Sequence, residues 1–172
     1  MASWTVPVIH ATGDVLAVTD WNGLANDATF LYQAPYVNAY ASASVSVANS
    51  TDTQVPLGAV SFSAYGASVN TSTGNIAPPL TGIYFVAGVA TIAATAASNT
   101  LGEIFVSGTK VAEGGSFFNP GAGNTRASVT NITIASAGDA IGLWAAQFSG
   151  STASTVTGSL SSYLSAFFVG SQ

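Results

Sequence analysis

The sequence contains no cysteine. That excludes a disulfide framework, a thiolate zinc site and a cysteine nucleophile. It has a single histidine, His10, so one chain cannot build a two-histidine metal site. Basic residues are almost missing as well: Lys110 and Arg126 are the only two among 172 residues. A nucleic-acid binder needs several Lys and Arg to neutralise phosphates, and a polybasic membrane-surface protein needs a cluster of them. Charge of either sign is scarce, at 5% of residues, against roughly 25% in an average soluble protein.

What is present is apolar and small. The hydrophobic fraction is 48% and the mean hydropathy is +0.46, the reverse of a disordered composition. A chain of 172 residues suffices for one domain with its own core. Residues 53–102 carry no charge, and the most apolar run lies from Ile83 to Ala97. A membrane-spanning helix needs about 20 predominantly apolar residues. Here Gly82, Gly88, Thr91, Thr95, Ser98 and Asn99 interrupt the run, and Pro78–Pro79 precede it. The first half is β-branched and aromatic, which reads as a strand, so no membrane insertion is expected. The N-terminus, Met1-Ala2-Ser3-Trp4-Thr5, has neither a basic n-region nor a long apolar h-region. A classical secretion signal is therefore not expected, and folding in a cytoplasm is.

Residues 1–40 read as an N-terminal arm with a short helix for anchoring and trimerisation, and residues 41–172 as a β domain. In the arm, Trp4, Val6, Val8 and Ile9 form an extended piece. Thr19 can cap a helix over 19–32, with Trp21, Leu24, Ala25, Ala28, Leu31 and Tyr32 at spacings of three and four, and Pro35 stops it. Trp4, Trp21, Leu24 and Leu31 are its anchoring candidates. From about residue 40 the pattern is β: Ser42 to Val47, Val60 to Ala64, Gly82 to Ile92, Leu101 to Val106, Thr109 to Val111, Val129 to Ile134, Asp139 to Phe148 and Leu160 to Val169. The strand from Gly82 is apolar on both faces, as expected of a buried central strand. Ser107-Gly108 suits a primed hairpin turn, pairing Val106 with Thr109, Phe105 with Lys110 and Ile104 with Val111. Turn-rich loops are expected at 49–52, 70–79, 114–123 and 149–158. Seven or eight short strands with no intervening helix predict an all-β jelly-roll sandwich. With so few surface charges, partner subunits are expected to cover part of it.

Chemistry-bearing groups are few. Glu103 and Glu113 lie on neighbouring strands of one hairpin, either as an acid/base pair or as structural carboxylates beside Lys110. His10 stands alone, with no nucleophile elbow near it. Gly114-Gly115 and Gly121-Ala122-Gly123 lack the Lys-Ser/Thr ending of a phosphate loop. Asn49, Asn70 and Asn131 match a glycosylation pattern, read as chance in a chain so rich in Ser and Thr. The aromatic residues Tyr84, Trp144, Tyr163, Phe167 and Phe168 are assigned to the core and trimer seam. Tyr65, Phe117 and Phe118 are the candidates for a ligand-contacting loop. No catalytic residue, metal site or cofactor is expected.

Four segments in order carry a resemblance: Gly82-Ile83-Tyr84-Phe85, Ile104 to Lys110 with its Ser-Gly turn, Gly138-Asp139-Ala140-Ile141-Gly142-Leu143, and Ser162 to Phe168. Over roughly residues 55–170 the chain resembles the complement-type globular head of the tumour-necrosis-factor-like jelly rolls. Residues 13–31 look like a leader found on virion proteins of tailed bacteriophages. The resemblance implies a homotrimer packed through aromatic strands. It also implies a structural or attachment role on a phage particle, as capsid decoration, head fibre or minor tail protein. The implied partners are other capsid or tail proteins and a host surface glycan, and the implied location is the virion. Asp139 either closes a turn or, as in some relatives, binds calcium. No collagen-like Gly-x-y stalk is present.

Overall fold

The structure, a computed structural model, describes residues 21–23, 25, 28, 34–93, 98–118 and 123–171. Trp21–Gly23, Ala25 and Ala28 are helical, in agreement with the expected spacing. Trp4, His10, Leu24 and Leu31 lie outside the described residues.

Among the described residues the other regular elements are β-strands, because short alternating segments bury one row of side chains and leave the other at the surface. The strands are β1 (Tyr36–Ala41), β2 (Ser46–Val47), β3 (Thr53–Gln54), β4 (Leu57–Ala64), β5 (Ser68–Asn70), β6 (Asn75–Ala77), β7 (Gly82–Ala93), β8 (Ser98–Val106), β9 (Thr109–Phe118), β10 (Thr125–Ala135), β11 (Ile141–Gln147), β12 (Ala153–Thr155) and β13 (Tyr163–Gly170). A seven-stranded sheet runs β2-β12-β7-β13-β1-β4, with β10 on the far side of β7. A six-stranded sheet runs β5-β6-β11-β8-β9, with β3 paired to β11. Every strand pairing is antiparallel. The two sheets form a jelly-roll sandwich, as the strand pattern predicts.

The core fills the space between them. Val37, Ala39, Tyr84, Val86, Ala90, Ile92, Val129, Leu164 and Phe168 come from the first sheet. Ile76, Ile104, Ile141, Leu143 and Ala145 come from the second. Buried polar groups are mostly bonded internally. The Gln147 amide donates to the Val47 and Ser151 carbonyls at 3.1 and 2.6 Å and accepts from the Ser149 amide at 2.8 Å. Where β9 crosses β10, the position of Gly114 admits no Cβ, because one would collide with the Ser128 carbonyl.

Several boundaries differ from the sequence reading. β1 begins at Tyr36, inside the stretch assigned to the arm, and pairs with both β13 and β4. The stretch 42–45 bends instead of continuing as a strand, leaving only Ser46–Val47 in β2. The expected loops at 70–79 and 149–158 contain β6 and β12. The stretch Gly114–Phe118 is not a loop but the end of β9. Turn-rich composition conceals these strands because short edge segments are held by their ladder partners, not by propensity. The Ser107-Gly108 turn has φ of 47° and 84°, as a primed turn requires. Val106 pairs with Thr109 and Phe105 with Lys110, as expected, but Ile104 pairs with Ala112. Val111 is therefore the extra residue of a bulge, a feature that period-two reading does not reveal.

Candidate functional site

Two surfaces concentrate the side chains of interest, and each is the outer face of one sheet. On the seven-stranded sheet, register aligns Tyr36 with Phe167, Phe167 with Phe85, and Phe85 with Ile132. These residues form one row across four strands. Tyr36 stacks on Phe167 at 6.1 Å between ring centroids and also packs against Phe62 and Tyr65 at 5.7 and 6.3 Å. The row stays open to solvent within one chain: Phe85 and Phe167 are each 40% exposed and Ile132 is 68% exposed. Ile134 and Val169 extend it, also exposed. β7, read from sequence as buried on both faces, buries Tyr84, Val86 and Ala90 on one face and leaves Phe85 exposed on the other.

On the six-stranded sheet, the outward row next to β11 gathers charge. Of the six charged residues among those described, Asp52, Glu103, Lys110 and Glu113 meet at one point. The Lys110 ammonium bonds to the Glu103 carboxylate and lies 3.2 Å from Asp52 Oδ2 and 3.2 Å from Glu113 Oε2. Glu103 and Glu113 sit directly opposite each other across β8 and β9, a repulsive placement that Lys110 offsets. Glu103 is fully buried, and its Oε2 has no hydrogen-bond partner among the described residues. Burial pushes the Glu103 carboxyl above its ordinary value; Lys110 opposes this, and Asp52 and Glu113 add to it. The hydrogen bond that Lys110 donates to Glu103 holds its ammonium well above its ordinary value, with Asp52 and Glu113 reinforcing it against partial desolvation. Trp144 stacks on Phe105 at 4.6 Å, and Lys110 Nζ lies 5.9 Å from the centre of the Phe105 ring.

This arrangement bears directly on the acid/base reading of Glu103 and Glu113. A general acid must reach its substrate. Glu103 is sealed from solvent and tied to an ammonium, so the pair reads as structural. Asp139 closes a turn: its Oδ1 accepts from Ser107 Oγ at 2.8 Å and its Oδ2 from the Ser136 amide at 2.7 Å. Among the described residues no group of three or more His, Cys, Asp and Glu is arranged to hold a metal ion.

The aromatic candidates separate by face. Tyr84 and Phe168 point into the core, edge-on at 5.2 Å, and the Tyr84 hydroxyl donates to the Leu80 carbonyl at 2.8 Å. Desolvation raises the pKa of that phenol. Phe167 and Tyr163 point outward on the seven-stranded sheet, whereas Trp144 is on the opposite sheet. Tyr65 sits in a turn at φ 57° against Tyr36, joining the apolar row instead of standing apart as a ligand loop. Phe117 and Phe118 belong to β9, and their side chains lie outside the described residues. Trp21 is exposed. Tyr36, Phe62, Ile132, Ile134 and Val169 were not singled out by sequence reading. Their signal, an outward apolar position on each of several strands, appears only once register is known.

No family model matches the chain, and no curated protein matches it. The solved structures are more informative. The fold is the tumour-necrosis-factor-like jelly roll. The chain is similar to murine APRIL at pH 5.0, with a TM-score of 0.59 and 11% identity over 80% of this chain and 100% of that one. It is also similar to the Eiger TNF of S. frugiperda, with a TM-score of 0.55 and 10% identity over 81% of this chain and 94% of that one. At such identity the likeness concerns the fold.

Proposed function

We propose that this chain is a non-enzymatic structural subunit that assembles as a homotrimer through the outer face of its seven-stranded sheet. In this reading it is displayed on the surface of a tailed-phage particle as a decoration, head-fibre or minor tail protein. The observation that carries the assembly is the open row Tyr36, Phe167, Phe85 and Ile132. Contiguous exposed apolar surface of this kind marks an interface. β7 has the composition of a strand covered on both sides, and a second copy supplies the missing cover. The near absence of charge favours the same reading, since interface centres are depleted in charge. The particle location is supported by the resemblance of residues 13–31 to phage leaders ahead of such a head.

Light-scattering mass tests the assembly. A species of three times 17.1 kDa is expected at micromolar concentration, and a stable 17.1 kDa monomer would overturn it. Imaging of purified particles with this protein labelled tests the location. Label on the particle surface is expected, and its absence from the particles would overturn that part.

A further inference from the structure

The ion cluster on the six-stranded sheet brings together two groups that can react with each other. Lys110 Nζ lies 3.2 Å from Asp52 Oδ2, and the carboxyl carbon is one bond from that oxygen. The two residues come from distant parts of the chain, Asp52 just ahead of β3 and Lys110 within β9. Holding an amine and a carboxyl in this way replaces a bimolecular step by a unimolecular one, with effective molarities on the order of 10⁵ M or more in well-aligned cases. A third group touches the amine. Glu103 accepts a hydrogen bond from Lys110 Nζ, is fully buried, and leaves Oε2 without a partner among the described residues. An idle buried carboxylate oxygen is costly in a salt bridge. It suits a carboxyl that takes up a proton, because burial favours the neutral form of Glu103. The Trp144–Phe105 stack stands beside the cluster, with Lys110 Nζ over the Phe105 ring.

We propose that Lys110 and Asp52 join in an intramolecular amide cross-link, with Glu103 relaying the proton. Nζ passes one proton to Glu103, and its freed lone pair attacks Asp52 Cγ, forming the C–N bond. The tetrahedral carbon then expels one carboxyl oxygen. That oxygen leaves as water, carrying the proton relayed by Glu103 and a second proton from Nζ. The net change is ammonium plus carboxylate to amide plus water, so charge balances, Glu103 ends as it began, and no co-reactant is required. Asp52 and Lys110 are partly exposed, which gives the water an exit. The burial that bars Glu103 from an external substrate does not bar it from a reaction between its own neighbours. The salt bridge keeps the amine protonated, so the link forms slowly, and the freshly folded chain carries the ion cluster. Once formed, the link closes a loop of 57 intervening residues and ties the approach to β3 onto the β8–β9 hairpin. The site lies on the sheet opposite the seam, so the proposal does not rest on the assembly.

The test ages the folded full-length chain for two weeks below its melting temperature and then weighs it, denatured, by mass spectrometry. The aged chain is expected to be lighter by one water molecule. Trypsin locates the loss, because Lys110 and Arg126 are its only cleavage points. Fresh chain gives residues 1–110, 111–126 and 127–172, whereas linked chain gives 1–126, lighter by one water, and 127–172. The linked form is expected to melt about 10 °C higher, as closing a long loop by a disulfide would achieve. Asp52→Ala is expected to keep its full mass and its cut after Lys110. Glu103→Gln, checked for folding by circular dichroism, is expected to link about a hundredfold more slowly. Glu113→Gln is expected to link still, because its carboxylate is not the one consumed. The proposal is overturned if the aged chain keeps its full mass and is cut after Lys110, if Asp52→Ala still loses water and resists that cut, or if folded Glu103→Gln links as fast as the unaltered chain.

Discussion

The outer faces of the two sheets are built from the same alternation but put to opposite uses. On the seven-stranded sheet the outward row is Tyr36, Phe167, Phe85 and Ile132, which carries no charged side chain and keeps Phe85, Phe167 and Ile132 exposed. On the six-stranded sheet the outward row is Trp144, Glu103 and Glu113, closed over by Lys110 and Asp52. One face is left open. The other completes itself with an ion cluster and an aromatic stack. A β-face in a charge-poor chain thus has two ways to avoid standing bare, and under the proposed assembly this molecule uses one on each side.

The comparison breaks most visibly at Phe167. Phe167→Asp places a carboxylate in the apolar row, and the proposed trimer is expected to fall to a 17.1 kDa monomer with little change in the melting of the head. Sedimentation or light scattering reads it, and a retained trimer would mean the seam lies elsewhere. The opposite face should respond in stability, not in assembly. Lys110→Met leaves Glu103 buried without its cation and opposite Glu113. The expected loss is about 3 kcal/mol, the low end for a broken buried pair because Lys110 itself is partly exposed. Urea unfolding measures it, and Lys110→Arg should recover part of the loss.

Two smaller effects sharpen the contrast. Gly108→Val forces a β-branched residue to φ 84° in the hairpin that carries Lys110, with an expected cost of about 1–2 kcal/mol and no change in solution mass. Glu103→Gln should be nearly neutral in stability at acidic pH but should alter its pH dependence. The folded state holds the Glu103 carboxyl above its ordinary value, so ionising it costs the fold. That contribution disfavours folding as pH rises through the elevated value, and it is relieved as pH falls below the ordinary carboxyl value. In the Gln variant this slope is expected to disappear from the unfolding free energy measured between those limits. An unchanged slope would show that Glu103 titrates normally.

Much of the fold was legible before any coordinates. Eight of the strands are six residues or longer, in keeping with the seven or eight expected, and the Ser107-Gly108 turn formed as its chemistry demanded. What escaped reading was short or paired. β2, β6 and β12 carry two or three residues each, and only their ladders define them. The Val111 bulge was invisible because alternation assumes an unbroken period. The site residues fared unevenly. Tyr84 and Phe168 belong to the core, and Phe167 to the open face, because odd and even positions of β13 and β7 point to opposite sides. Sequence proximity could not sort them without knowing which side is inside. Asp52 had no local signal at all, since it reaches Lys110 across 57 intervening positions of chain.

The sequence by itself determined that this chain is an all-β sandwich with little charge, because alternation, turn glycines and the shortage of Lys, Arg, Asp and Glu are local and compositional facts. Tertiary structure alone decided which apolar positions lie between the sheets and which stay open, and which acids share the one lysine. Those outcomes depend on strand register, and register is set by pairings between residues far apart in the chain.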